Sequence, residues 1–341
     1  MVERSGKVQT VTGIVAPETM GWTLAHEHLL LDICPPERKS DPEEPITLEN
    51  LGRTRRHLGR NPYNARLEDE AEAIAELREF KAAGGGTVVE VTSIGLKRDP
   101  EGLRRIAEGA GVNILMGCSY YVHNYHPPEV ARLGEAAITA EIVRDIRQGA
   151  GETGICAGII GEVGLYWPVH KAEVKVLRAS ALAQKETGAP LMIHPGRDPA
   201  APLDAIATVK EAGGDPGRTI VAHIDRTLFR REDMLALAET GCYLEFDLFG
   251  YESSYYPLAP IDMPNDAVRI EHLQALIAAG HRDQLLVAHD VCHKHRLRKY
   301  GGDGYSHLLE NVVPMMRRKG MSDADIEALF VHNPARIMAF A

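Results

Sequence analysis

Short apolar runs of five to seven residues recur along the chain, and each gives way to a longer stretch whose hydrophobic positions return every three or four residues. The first kind of segment reads as a strand buried on both faces, the second as an amphipathic helix. Strands are expected over Trp22–His28, Thr87–Thr92, Asn113–Cys118, Cys156–Glu162, Pro190–His194, Thr219–His223, Cys242–Phe246 and Leu285–Asp290. Helical spacing runs over Leu67–Ala83, Pro100–Ala110, Ala137–Gln148, Ala172–Thr187, Pro202–Ala212, Glu232–Thr240 and Ile270–Ala279, several of them closed by a glycine. Strict strand-then-helix alternation calls for a parallel sheet, and eight units call for a closed (β/α)8 TIM barrel of the α/β class. A doubly wound open sheet is the competing fold, but no Gly-rich phosphate loop follows the first strand.

One stretch breaks the rhythm. Residues 32–66, rich in proline and charge, read as a long insertion after the first strand that covers the barrel mouth, or more plainly as a solvated loop. Gly301–Gly304 reads as a glycine-rich loop, and Ser322–Ala341 as a closing helix with Ser322 at its N-cap. Residues 1–341 are thereby expected to form a single domain.

Chemistry gathers where the apolar runs stop. His26 and His28 lie two apart at the end of the first strand, so the period of 2 puts both imidazoles on one face. Glu162, His194, His223 and Asp290 follow the fourth, fifth, sixth and eighth runs. The gaps keep register: 194 − 162 = 32 and 223 − 194 = 29 each fit one unit, and 290 − 223 = 67 fits two. Any one of these residues alone would read as a satisfied core group. Two carboxylates buried together would cost several kcal/mol, roughly, unless cations neutralised them. Four imidazoles and two carboxylates suffice for two divalent metals sharing a bridge.

These residues carry a resemblance. The His-x-His of strand one, the bridging position on strand four, His on five and six and Asp on eight are similar to the amidohydrolase superfamily and, within it, the phosphotriesterase family. Gly161-Glu162-Val163-Gly164, His194-Pro195-Gly196-Arg197, His223-Ile224-Asp225-Arg226-Thr227 and Glu245-Phe246-Asp247-Leu248-Phe249-Gly250 sharpen it, with Lys299-Tyr300-Gly301-Gly302 further on. Glu162 departs from phosphotriesterase itself, which carries a carboxylated lysine there; a branch of the family also uses glutamate. That branch implies hydrolysis of a small N-acyl compound of the N-acetyltaurine kind. A lactonase, a carboxylesterase or a weak phosphotriesterase on the same site is the alternative, and a non-catalytic ligand-binding protein the reading from another class.

The resemblance implies that His26, His28 and Asp290 hold the more buried metal and His194 and His223 the more exposed one, with Glu162 and a hydroxide bridging. Two divalent ions are expected, zinc by default from the N/O donors, with Mn, Fe, Co or Ni as alternatives. Asp290 would accept the proton of the nucleophile, and Tyr121 would hydrogen-bond the substrate oxygen. Arg226 and Arg197, each three residues beyond a histidine of the set, are candidates for binding an anionic substrate group; ordinary surface salt bridges are the plainer reading. His289, His293 and His295 read as supporting or loop residues.

Composition narrows the class further. Hydrophobic residues at 44% and charged residues at 25% fit a folded globular chain. With 38 Lys plus Arg against 48 Asp plus Glu, the net charge of −10 disfavours nucleic acid or an anionic membrane as partner and leaves a small molecule. A homodimer is a further expectation. The five cysteines lack CxxC pairing, the first ten residues lack an apolar segment, and no run of about 18 apolar residues occurs. A cytoplasmic protein is expected.

Overall fold

The computed structural model describes residues 4–341 and contains all eight expected strands. They are β1 (Trp22–Glu27), β2 (Gly85–Glu90), β3 (Asn113–Cys118), β4 (Ile159–Gly164), β5 (Leu191–His194), β6 (Thr219–Val221), β7 (Tyr243–Phe246) and β8 (Leu285–Val287). Each pairs in parallel with the next in sequence order. At the seam, Asp290 N donates to His26 O (3.2 Å). There the buried carboxylate of Glu27 accepts from His289 N (2.9 Å), His289 Nδ1 (2.7 Å) and Val291 N (3.0 Å), tying the end of β8 to β1. The result is a nearly closed (β/α)8 barrel.

The helices between strands are α1 (Glu70–Ala82), α2 (Pro100–Ala110), α3 (Glu135–Arg147), α4 (Lys171–Thr187), α5 (Ala201–Glu211), α6 (Arg231–Ala238) and α7 (Asp266–Ala278). Their ends follow local chemistry. Asp69 caps α1 through Ala71 N and Glu72 N, and Asp99 caps α2 through Gly102 N. Gly111 and Gly188 close α2 and α4 at φ of 69° and 73°, a left-handed conformation that costs glycine nothing. Leu67, expected at the head of α1, instead pairs with Leu31.

Inside the barrel, Ala25, Val89, Leu115, Ile159, Met192, Ile220, Tyr243 and Leu286 contribute one side chain from each strand to a buried apolar layer. Val8, from a hairpin that pairs Val8–Thr10 with Gly13–Val15, packs on this layer together with Met20 and Ile337. Polar groups at the C-terminal ends of the strands therefore rest on a sealed floor.

The expected closing helix is broken. Asp323–Glu327 and Asn333–Met338 are α-helical, and Ala328–His332 between them is a wider π turn. A second π turn, Leu308–Val312, precedes Val313–Arg318. Both wide turns sit just before a proline, Pro334 and Pro314, whose missing N–H removes an α-type bond. Ser322 is the N-cap as expected, its Oγ accepting from Asp325 N (3.1 Å). Among the described residues no helix is long and apolar enough to cross a membrane.

The insertion is anchored at both ends. Leu31–Asp32 pairs antiparallel with Arg66–Leu67, so residues 32–66 leave and rejoin the barrel side by side. A short helix, Leu51–Arg56, lies within it, and Asn64 docks it on the loop after β8. Asn64 Oδ1 accepts from His295 N (3.1 Å) and Nδ1 (3.0 Å), and Asn64 O from Lys294 N (2.9 Å). Ile33 and Leu58 then wall the cleft at the barrel mouth, so the insertion is more than a solvated loop.

Candidate metal centre

His26, His28, Glu162, His194, His223 and Asp290 all converge at the C-terminal mouth of the barrel. Glu162 stands at the centre. Its Oε2 lies 2.9 Å from His194 Nδ1, 3.3 Å from His223 Nε2 and 3.7 Å from His26 Nε2, while Oε1 lies 3.6 Å from His28 Nε2. Asp290 Oδ1 approaches His28 Nε2 at 3.3 Å and His26 Nε2 at 3.8 Å.

Reaching this geometry takes departures from regular strand alternation. Ala25 points into the barrel floor, so strict alternation would bring Glu27 in after it. A register shift between Leu24 and Glu27 instead sends Glu27 to the seam and turns His26 and His28 inward. A shift between Ile160 and Val163 does the same for Glu162. His194 needs none, standing two residues beyond the inward Met192.

His223 and Asp290 were expected on their strands, but β6 ends at Val221 and β8 at Val287. Both residues lie just beyond, in the left-handed region at φ of 56° and 50°. A non-glycine residue there costs of order 1 kcal/mol and persists only where its surroundings hold it. For His223 the holder is Asp247, which accepts from His223 N (2.8 Å) and Nδ1 (2.8 Å). For Asp290 it is the seam bond to His26 O.

Burial and charge set the protonation states. Burial pushes Glu162 up to about 8, against the pull of His28 and with a push from Asp290. Burial also drives His26 down to about 3, and it holds His194 and His223 well below their ordinary value, with Arg226 adding to both. His28 goes the other way: burial opposes its charge, but its bond to Asp290 and the charges of Asp290 and Glu162 raise it to about 9. Burial opposes the charge of Asp290 too, yet His28 and His26 keep it below the usual carboxylate value.

A cation fits this donor set. Among the described residues the buried His26 Nε2 has no hydrogen-bond partner, although it faces two carboxylates across gaps too long for hydrogen bonds. His194 Nδ1 and His223 Nε2 face one another at 2.7 Å, a convergence of imidazole nitrogens typical of metal ligands. Two triads bring one ligand atom each into mutual range: His26, His28 and Asp290, and His26, Glu162 and His223.

The rings are held from behind by residues to which sequence reasoning gave no role. Glu245 Oε2 lies 3.1 Å and Asp247 Oδ2 3.5 Å from His26 Nδ1, and both carboxyls are fully buried. They also form a third close triad with His26, but Nδ1 is the ring nitrogen facing away from Glu162 and Asp290, and a hydrogen bond orients the ring. His28 Nδ1 bonds Thr92 Oγ1 (2.8 Å), which donates in turn to Glu90. The visible signal was Glu245 and Asp247 two apart at the end of β7, the same spacing as His26 and His28.

The cleft above the six groups, counted together with the solvent at its open mouth, spans about 640 Å³. Tyr121 enters it, buried, with its hydroxyl 3.3 Å from His194 Nδ1; burial and the charge of Glu162 keep its phenol protonated. Arg197 and Arg226 border it, and Arg226 is only 2% exposed, so the surface salt bridges weighed for them are absent among the described residues. Of the three further histidines, His293 and His295 line the cleft and His289 belongs to the seam.

Such a barrel, with imidazoles and carboxylates gathered at one mouth, has a donor set that could hold metal ions, and its relatives make it a hydrolase. The chain belongs to the phosphotriesterase family, whose sequence pattern matches residues 6–338. It is 44% identical over 352 aligned positions to the N-acetyltaurine hydrolase of Bos taurus, covering all of both chains. It superposes on the resiniferatoxin-binding protein of Rhodobacter sphaeroides with a TM-score of 0.93 at 36% identity, over 98% of this chain and 95% of that one. The phosphotriesterase homology protein of Escherichia coli, solved with phosphate in its active site, follows at 0.79 and 28%, over 94% and 99%.

Proposed function

We propose that the protein is a dinuclear metal-dependent hydrolase that cleaves the amide bond of a small N-acyl compound, N-acetyltaurine or a near analogue. The observation that carries the reading is the placement of Glu162, within 3.7 Å of ring nitrogens from all four histidines. His26, His28 and Asp290 would hold one ion and His194 and His223 the other, with Glu162 touching both. Bound there, divalent ions such as zinc, Mn, Fe, Co or Ni lower the pKa of a water and polarise the acyl oxygen.

The chain's own residues supply the rest. Asp290, held ionised by its histidine neighbours, takes the proton of the attacking water. A new C–O bond forms at the acyl carbon, the C–N bond breaks, and Asp290 returns the proton to the departing nitrogen. Tyr121, kept protonated, donates to the acyl oxygen. The 44% identity to a hydrolase of N-acetyltaurine across the whole chain supports the choice of amide over ester.

The test is metal analysis of loaded protein with a panel of N-acetyltaurine, N-acyl amino acids, lactones and paraoxon-like esters. About two ions per chain and fastest turnover on an N-acyl compound are expected, and Glu162→Ala should lose both ions and activity. One ion or none, a preferred lactone or phosphotriester, or full activity in Glu162→Ala would overturn it.

A further inference from the structure

Of the two buried arginines among the described residues, Arg269 and Arg226, only the first has carboxylate partners. Arg269, fully buried, donates to Asp225 Oδ2 (2.6 Å) and Asp266 Oδ1 (2.9 Å). Arg98 meets Asp145 at 2.7 Å. Arg226 is as deeply placed, yet its guanidinium bonds only neutral groups: His194 Nε2 (3.0 Å), Pro195 O (3.2 Å) and Thr227 Oγ1 (3.1 Å). Arg197, partly buried, donates through Nε to Tyr256 OH (3.0 Å), and its guanidinium carbon stands 5.7 Å from the centre of the Tyr256 ring.

Two cations sharing a desolvated pocket repel one another, and neither is neutralised by the protein. Burial, then Arg197, depresses Arg226. Leu58, Leu248 and Met263 cluster with Tyr256 on the wall, and Arg296, whose guanidinium donates only to the Phe249 and His289 carbonyls among the described residues, lines the cleft as well. Positive charge thereby borders the cleft, and Arg226 sets it against His194 and hence against the reacting centre.

We propose that Arg197 and Arg226 form an oxyanion subsite that binds a sulfonate or carboxylate carried beyond the scissile amide, with Tyr256 as the positioning residue for Arg197. This rests on the amide-hydrolase reading above and adds to it the residues that select the substrate. The three divergent oxygens of a sulfonate can serve two guanidiniums at once, whereas the two oxygens of a carboxylate lie in one plane with the carbon.

The experiment compares kcat/KM on N-acetyltaurine, on N-acetyl-β-alanine and on the neutral methyl sulfone analogue of N-acetyltaurine. The expected order is sulfonate, then carboxylate, then sulfone. Arg197→Gln and Arg226→Gln should each cost about ten- to a hundredfold on the anionic amides, mainly in KM, and less than about threefold on the sulfone. Tyr256→Phe should give a smaller loss of the same selectivity. In parallel, propane-1-sulfonate should raise the melting temperature of wild-type protein, metal-free as well as loaded, but not that of the arginine variants.

If Arg226→Gln does not fold, Arg197→Gln and Tyr256→Phe still decide the matter. Equal kcat/KM on sulfonate and sulfone with no stabilisation by propane-1-sulfonate would overturn the subsite and leave the amidase intact. Stabilisation lost in the arginine variants, in a protein that cleaves no N-acyl compound, would uphold the subsite and remove the amidase.

Discussion

Asp290 unites three properties at a single residue. It lies in a left-handed conformation, its main chain closes the barrel seam, and its carboxylate is held ionised beside His28 and His26. In the proposed reaction the side chain carries the proton from water to leaving nitrogen, a role that asparagine fills in shape but not in basicity. Asp290→Asn is expected to keep the seam, whose bond uses the main-chain N–H, and to cut turnover about 10²- to 10⁴-fold, the usual worth of a positioned acid/base. Rate per folded molecule, with the melting temperature measured alongside, checks it. Lost stability at unchanged specific rate would make the residue structural. Glu245 and Asp247 show a different use of buried acid: they touch the far sides of His26 and His223 and fix which way each ring nitrogen points.

At the scale of elements, the insertion and the loop after β8 are joined through His295 and Asn64, and this joint has a pH dependence. Burial, with His293 and Arg296 adding to it, pushes His295 down to about 2. The folded state therefore refuses a proton that the unfolded chain accepts below about 6.5. The joint's contribution is complete above that value and declines as pH falls, by at most about 1.4 kcal/mol per unit for one group. Urea midpoints at pH 7 and pH 5.5 should fall further in wild type than in His295→Gln; equal falls would show that the histidine titrates in the fold.

The same scale explains what the sequence disclosed. Strand and helix order was legible because β4, β5 and β8 are apolar on both faces, leaving little choice but a parallel sheet. The six converging residues were legible because each ends an apolar run. How five of them turn inward was not, since register shifts and left-handed residues leave no mark in hydrophobic periodicity: His26 directly follows the inward Ala25, and His223 the buried Ala222. Nor did Arg226 betray its burial, because a charged residue three past a strand histidine reads equally well as surface.

Taken as a whole, the barrel brings its six polar groups from β1, β4 and β5 and from just beyond β1, β6 and β8, so ions bound among them would cross-link chain segments far apart in sequence. Chelation is expected to lower the melting temperature, and added zinc to restore it; occupancy at a hundred times the dissociation constant corresponds to about 2.7 kcal/mol. Thermal unfolding with and without dipicolinate measures this, and an unchanged transition would mean that the fold gains nothing from metal. The net charge of −10 opposes anionic substrates at long range, but salt screens that field over about 10 Å, so the two arginines act at close quarters where it has faded.

The side-by-side pairing of Leu31–Asp32 with Arg66–Leu67 gives the molecule a further property. A segment that leaves and returns at one point is an exchangeable cassette: its length and shape can drift without altering the spacing of anything on the barrel. Residues 32–66 furnish Ile33 and Leu58 to the cleft and none of the six converging groups. Residues 32–66 can therefore reshape the cleft, with Asn64 holding them to the loop after β8, while the six converging groups stay where the barrel puts them.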